Sequence, residues 1–431
     1  MIKSFIIIII YFFIINGVNT FVPSPRAEQA ALLVNNKIYV YGGVNERTKL
    51  SDFFYLDISS SFIINNITSM PWVNITPPTG LSVRTSSAAC IYGKNKNQIV
   101  YIGGDAIVGD NFTTVYDITT QQWSIPKTSA SFTSNRKLIQ CVVSEDDIYV
   151  YGGLENVYDM IKLDTLNLSW TEFSPGPVAP IGVQSYRAIL LNNASILYIG
   201  GQPGGDVPTL PYSSFDKLSM YNINNSTWSL ITTSGNIPPS RYDHGAVYIP
   251  QYNQILIFYG IPISLNMSIV ALDTVKFEWS IPTIKNVGGP TDGLRRFISI
   301  LIETYVFIAF GSFDINGQNC TNNFFLLDVS QKNNYEWATL YDPTKQFKQP
   351  PPTTNTTSVT PTISPYNNNA TPNIYTNNIG AIIGVGFAAI AGIIVLSTAA
   401  VLIVKRYGYP LPHFAPREKS SNDPNNEVFL D

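Results

Sequence analysis

The chain's six tryptophans, Trp72, Trp123, Trp170, Trp228, Trp279 and Trp337, stand at one equivalent place in a six-fold repeat. Each follows a strand-like run that ends in small residues. Four of these endings read Tyr39-Val40-Tyr41-Gly42-Gly43, Tyr101-Ile102-Gly103-Gly104, Tyr149-Val150-Tyr151-Gly152-Gly153 and Tyr198-Ile199-Gly200-Gly201. Two weaker copies follow, Ile257-Phe258-Tyr259-Gly260 and Ala309-Phe310-Gly311-Ser312. A tryptophan used once per unit and nowhere else is a packing residue, and a repeat decides the architecture before any local propensity does.

Each unit carries its signals in one order. An arginine opens it: Arg26, Arg84, Arg136, Arg187, Arg241 and the pair Arg295-Arg296. An apolar strand follows, such as Ala30 to Val34, then a turn such as Asn35-Asn36 and the strand that ends at the glycines. A third strand closes on Asp57, Asp117, Asp164, Asn222, Asp273 or Asp328. In four units the tryptophan lies six residues beyond that group, from Asp117 to Trp123, Asp164 to Trp170, Asn222 to Trp228 and Asp273 to Trp279. The pattern predicts four short strands per unit with turn chemistry between them. A glycine at a strand end admits close approach of a second backbone, and the indole fills the wedge between radially packed sheets. The longer stretch from Asp57 to Trp72 reads as an insertion in the outer hairpin of the first unit.

This order, Arg, then Tyr-x-Tyr-Gly-Gly, then Asp, then Trp, resembles the kelch repeat, and the resemblance spans about residues 25–341. It implies an all-β fold, a six-bladed kelch β-propeller with one four-stranded blade per repeat. The expected domain boundaries are 21–345. Units five and six lack the glycine pair, so their loops are expected to differ. Asn167 and Asn225 fall three residues before their tryptophans, in exposed hairpins.

The ends of the chain read differently. Residues 1–20 are expected to be a signal peptide, with Lys3 ahead of an apolar run from Phe5 to Ile15; an uncleaved anchor is the alternative. Residues 346–378, rich in Pro, Thr and Asn, read as an extended stalk. Residues 379–404 are uncharged and apolar; as a helix of ~1.5 Å per residue they would span about 39 Å, enough to cross the bilayer as a single transmembrane helix. Lys405 and Arg406 follow, which orients the helix with its N-terminus outside and leaves 405–431 as a cytoplasmic tail. Small residues at Gly380, Gly384, Ala388 and Gly392 permit helix-mediated self-association; a monomeric anchor is equally consistent with them. Asn-x-Ser/Thr sequons begin at Asn66, Asn74, Asn111, Asn167, Asn193, Asn224, Asn225, Asn266, Asn319, Asn355 and Asn369, all before the apolar run.

Only 13% of residues are charged and the net charge is −3, with no basic stripe, which argues against nucleic-acid binding. Three cysteines, Cys90, Cys141 and Cys320, cannot all pair. Cys90 and Cys141 hold similar places in neighbouring units, a separation expected to exceed disulfide reach, so buried free thiols are the expectation. The kelch-like propeller of copper-radical oxidases needs two histidines at copper. This chain has two in all, His244 and His413, and His413 lies in the tail. The chain is therefore read as non-enzymatic, with no catalytic residue, cofactor or metal; His244 is expected to be structural. The alternative is a galactose-oxidase-like or other carbohydrate-active propeller enzyme using loop carboxylates among Asp105, Asp110, Asp206, Asp292 and Asp314. The leading expectation is a type I membrane glycoprotein at the plasma membrane that binds an extracellular protein or glycan. Its recognition surface would be the loops after the glycines, 44–52, 105–114, 202–217 and 312–323. In the longest of them Tyr212 and Phe215 either contact the partner or pack the loop down.

Overall fold

The computed structural model describes residues 21–347, apart from positions 66, 94 and 292 and the segments 76–82, 107–111, 129–135, 154–157, 182–183, 204–211, 263–266 and 315–317. The described residues fall in one compact unit, within Met1–Pro352. The signal-peptide, transmembrane and tail segments and nearly all of the stalk, with the sequons at Asn355 and Asn369, lie outside the described residues. Among the described residues, no helix is long and apolar enough to cross a membrane.

Six antiparallel sheets follow one another along the chain, each built from a contiguous stretch. The first holds Ala30–Val34, Lys37–Tyr41, Phe53–Asp57 and Trp72–Ile75, hydrogen-bonded in that order. The second to sixth repeat the arrangement, beginning at Ala88–Tyr92, Cys141–Ser144, Arg187–Leu191, Gly245–Ile249 and Ile298–Ile302. The first strands of neighbouring sheets approach one another and line a common axis. This is a six-bladed propeller with two short 3-10 turns as its helical content among the described residues.

The strands are apolar on both faces because both faces are covered. Side chains alternate across a strand. In the first blade Tyr39 and Tyr41 pack against Tyr101 and Tyr116 of the second, while Ile38 and Val40 join a cluster with Phe307 and Leu326 of the sixth. Among the described residues, six apolar clusters each fill the space between one pair of adjacent blades. The core is therefore six wedges.

All six tryptophans take one register position. Each pairs with the residue before the acidic or amide group, as Trp123 with Tyr116, Trp170 with Leu163 and Trp337 with Leu327. Trp72, Trp228 and Trp279 do so opposite Leu56, Tyr221 and Leu272. The six-residue spacing has a cause. Asp117 Oδ1 accepts from the backbone N–H of Thr119 and Thr120, and Asp164 and Asp273 close the same turn. The residue two before the tryptophan, Gln121, Leu168, Ser226 or Phe277, then has positive φ, the signature of a short hairpin loop that ends in a left-handed residue. Five indoles contact an aromatic ring of the preceding blade: Trp123 on Phe53, Trp170 on Phe112, Trp228 on Tyr151, Trp279 on Phe215 and Trp72 on Phe324 of blade six. Trp337 instead lies against Gly288 and Gly289 and is half-buried.

The insertion in the first blade has a task. Phe62–Ile63 pairs with Leu340–Tyr341, the chain leaving blade six. Segments leaving blades four and five likewise lie along the outer strand of the following blade. The ring is thus closed by an added ribbon between its two ends, without exchange of a strand between blades.

The structure corrects the cysteine assignment. Cys90 and Cys141 form a disulfide with a Cα separation of 6.2 Å, and Cys320 carries the remaining thiol. The two sit on first strands, where the blades converge; the expected separation holds only farther from the axis.

Candidate functional site

The between-blade segments and the loops after the glycines emerge on one face, and the tight hairpins on the other, because consecutive strands run antiparallel. On the loop face the second glycine N–H of one blade bonds to the segment opening the next. Gly43 donates to Arg84 O at 3.0 Å, Gly104 to Arg136 O at 2.6 Å and Gly201 to Arg241 O at 3.0 Å, and Gly311 closes the circle onto Arg26 O at 2.8 Å. In blades one, two and four the first glycine, Gly42, Gly103 or Gly200, leaves no room for a Cβ beside the opening carbonyl. A Cβ on Gly103 would lie 2.3 Å from Arg136 O, at a φ of +65°. In blades five and six the glycine lost is this first one; Tyr259 and Phe310 hold its left-handed backbone, at φ 48° and 61°.

Nearer the axis, a second circle forms. Glu28, Ser86, Leu138, Ser185, Asp243 and Arg296 occupy equivalent positions, all with positive φ. Each N–H donates to the carbonyl of its counterpart in the preceding blade: Ser86 to Glu28, Leu138 to Ser86, Ser185 to Leu138, Asp243 to Ser185, Arg296 to Asp243 and Glu28 to Arg296, at 2.8–3.3 Å. Six backbone hydrogen bonds therefore run head to tail around the axis. A left-handed non-glycine residue costs about 1–2 kcal/mol, and the closed circle of satisfied groups is what holds six of them.

Four opening arginines serve these belts. Arg26, Arg84, Arg136 and Arg241 each donate from Nη1 to the carbonyl of Gly42, Gly103, Gly152 or Tyr259, respectively. Arg136 also forms a two-pronged bridge to Asp159, at 2.7 Å on each arm. The sequence reading placed Arg187 and Arg295-Arg296 in the same role, and the structure does not. Arg187 lies within the first strand of blade four, opposite Ile199, and Leu294 precedes the pair at the position of Arg26.

The displaced arginines build the axial site. Arg296 bridges Glu28 and, from Nε at 2.9 Å, Asp243; Arg295 also pairs with Asp243. Ser86 Oγ donates to the other oxygen of Glu28 at 2.6 Å. Arg187 donates from Nε to His244 O at 2.5 Å, and burial pushes its pKa down to about 10, so it stays charged at neutral pH. Arg187 and Arg296 thus meet Glu28 and Asp243 around a cavity of about 80 Å³, while Arg295 holds Asp243 from outside it. The visible signal for this cluster is spacing: Arg187 precedes Gly200 by 13 residues, against 16 from Arg26 to Gly42 and 19 from Arg84 to Gly103. Glu28, Ser86 and Asp243 carry no comparable mark.

His244 is fully buried, its ring edge-on to Phe215, and burial followed by Arg187 and Arg241 holds its pKa well below the ordinary value. Among the described residues, neither ring nitrogen has a hydrogen-bond partner. Among the described residues no group of three His, Cys, Asp or Glu is gathered as a metal-ligand set.

The two loop aromatics separate. Phe215 is fully buried, stacked on Trp279 at 5.3 Å and 19°, and so packs the loop down, the second of the two roles open to it. It turns inward because the loop ends where blade five's indole needs a lid. Tyr212 is 41% exposed and leans on Tyr242 at 4.9 Å. Of the loop carboxylates, Asp105 pairs with Lys49 at 2.9 Å and Asp314 builds its own turn by accepting from Gln318 N–H and Asn319 N–H; Asp110, Asp206 and Asp292 lie outside the described residues. The sequon asparagines Asn74, Asn167, Asn193, Asn224, Asn225 and Asn319 are all exposed, while Asn66, Asn111 and Asn266 lie outside the described residues.

Six radial four-stranded blades, closed by two belts of hydrogen bonds and bearing their long loops on one face, define a six-bladed β-propeller. The KLHDC2/KLHL20/DRC7 Kelch-repeats domain profile matches residues 15–201 and 188–364, and the chain belongs to this kelch-repeat family. Acyl-CoA-binding domain-containing protein 4 of Arabidopsis thaliana is 25% identical over 336 residues, which is 74% of this chain and 48% of that protein. The chain spans about half the length of the curated relatives of this kind that it matches. Kelch domain-containing protein 3 of Bos taurus is 22% identical over 274 residues, 59% of this chain and 69% of the relative. A solved structure titled "Structure of YjhT" superposes with a TM-score of 0.52 at 12% identity, over 73% of this chain and 98% of that one, a likeness of fold alone.

Proposed function

We propose that this chain is a single-pass cell-surface glycoprotein whose propeller is a non-catalytic recognition module for an extracellular protein or glycan. The observation that carries the reading is the Cys90–Cys141 disulfide between the first strands of blades two and three. Disulfides of this kind persist in oxidising compartments and are rare in the cytosol. The exposure of Asn74, Asn167, Asn193, Asn224, Asn225 and Asn319 supports the same compartment, as does the apolar run 379–404 followed by Lys405-Arg406. Four of those asparagines, Asn167, Asn193, Asn224 and Asn225, lie in hairpins on the face away from the long loops. Glycans there leave the loop face open to a partner.

Kelch propellers are binding scaffolds, and loops held on a rigid frame are where recognition resides. Tyr212, half-exposed beside Tyr242 at the end of the longest loop, supplies an aromatic contact. The test is binding of a multivalent form of residues 21–345 to intact cells and to a glycan array. Saturable binding that falls when Tyr212 and the rest of its loop are replaced supports the module. Absence of saturable binding to either target refutes it.

A further inference from the structure

The third and outer strands of blade six stay paired only as far as Leu326 with Ala338. Beyond that point the outer strand leaves the blade as Leu340–Tyr341 and pairs with Phe62–Ile63. Its departure opens a notch in the rim of the blade. The notch is a cavity of about 390 Å³, bounded by the insertion of blade one at Ile64, Asn65 and Ile67 and by the linker at 286–289. That volume falls within the roughly 300–1,000 Å³ of small-molecule sites. Trp337 and Phe325 stand in its wall, with ring centroids 6.3 Å apart. The other five indoles meet a ring of a neighbouring blade, whereas Trp337 meets this ring of its own. Asn286 fixes its backbone, donating from Nδ2 to Trp337 O and accepting at Oδ1 from Trp337 N–H, each at 2.8 Å. Gly288 and Gly289 lie where any side chain would collide with the indole. The ring is therefore held before a ligand arrives, which lowers the cost of binding.

The polar part of the wall consists chiefly of amides. Asn65 and Asn323 are exposed, and among the described residues their side chains make no hydrogen bond. The Trp337 indole N–H likewise has no acceptor there and is not sealed from solvent. Among the described residues no Asp, Glu, Lys, Arg or His lines the cavity. A wall without charge gives an ionised ligand nothing to offset its lost hydration. Each amide carries both donors and an acceptor, which suits hydroxyl groups that do the same, and an indole supplies an apolar face with a polar edge.

We propose that the rim of blade six is a binding site for a neutral pyranose sugar, its C–H face on Trp337 and its hydroxyls shared between Asn65 and Asn323. The site takes in the end of the 312–323 loop, so the proposal rests on the reading of the propeller as a recognition module and gives that module a sugar as ligand. It makes no use of Tyr212.

The experiment is calorimetric titration of the full-length chain, purified in a detergent without a sugar headgroup, with the methyl pyranosides of galactose, glucose and mannose. Glucuronate, a charged pyranose, and glycerol, a polyol without a ring, are the controls. Saturable 1:1 binding of at least one methyl pyranoside is expected, with glucuronate weaker and glycerol not bound. Trp337→Ala should abolish binding, and near-ultraviolet dichroism checks that it is folded. Asn65→Ala and Asn323→Ala alter exposed side chains without protein partners, so they leave the fold intact; each should weaken binding about threefold to tenfold. Tyr212→Ala should leave it unchanged. Three results overturn the proposal: no saturable binding of any of the three pyranosides, glucuronate or glycerol binding as tightly as they do, or full affinity kept when Asn65 and Asn323 are both alanine. Sugar binding lost in Tyr212→Ala and kept in the double variant would sink this site while leaving the recognition module standing.

Discussion

Reducing the Cys90–Cys141 disulfide should lower the stability of the propeller by about 4 kcal/mol. The bond closes a loop with a sequence separation of 51 residues. The chain-entropy relation, 2.1 plus 1.5R ln n in cal/mol/K, gives roughly 14 cal/mol/K for that loop, or about 4 kcal/mol at 25 °C. A domain of roughly 320 residues unfolds with about 0.7 kcal/mol/K of entropy, so the melting temperature should fall by about 6 °C. Reduction is a cleaner perturbation than substitution, because Cys90 is buried in the wedge between blades two and three and its truncation would add a cavity. The assay pairs scanning calorimetry, with and without a phosphine reductant, with a count of thiols under denaturing conditions. Protein from a secretory host should titrate one thiol, that of Cys320. Three thiols in such protein would remove the bond. One thiol with a melting shift under 1 °C would leave the bond and refute the loop-entropy reasoning.

Other expectations follow from the same packing. Phe215→Ala should cost about 3–5 kcal/mol in denaturant unfolding, whereas Tyr212→Ala should cost under ~1 kcal/mol; the reverse order would mean that the loop's inward and outward residues are misplaced. Gly103→Ala should cost more than ~2 kcal/mol, since its Cβ meets the Arg136 carbonyl. Gly93→Ala should cost about 1 kcal/mol, because only the flexible end of Gln98 lies near, and equal costs would refute the close-approach argument. His244 is held neutral, so the unfolded chain takes up a proton near pH 6.5 that the native state refuses. Its contribution is therefore fully present above pH 6.5 and is lost as pH falls below it, at up to ~1.4 kcal/mol per unit. His244→Phe should flatten stability between pH 6.5 and 5, and an unchanged slope would place the acid sensitivity elsewhere.

The blade count was legible because packing leaves a residue type behind. A wedge between two sheets needs a wide ring, and the indole recurs at one register position opposite the residue before the turn-closing Asp or Asn. The hairpins were legible for the same reason, since Asp164 and Asp273 cap turns that few other side chains can close. The axial cluster was not. An arginine is equally compatible with the belt position of Arg26 and the strand position of Arg187, and a shift of four residues leaves composition unchanged. The disulfide was missed because distance between equivalent residues depends on radius, and nothing in the repeat states that Cys90 and Cys141 lie at its smallest value. Phe215 was ambiguous because a loop aromatic serves a neighbour's indole as readily as a partner.

Topology tests the central claim most directly. The full-length chain carrying a C-terminal tag would be expressed in cultured animal cells and probed with antibodies to the propeller and to the tag, before and after permeabilisation, alongside peptide N-glycosidase treatment. The account predicts that intact cells stain for the propeller, that the tag is reached only after permeabilisation, and that glycosidase lowers the apparent mass. A propeller reached only in permeabilised cells, with no mass shift, would contradict it.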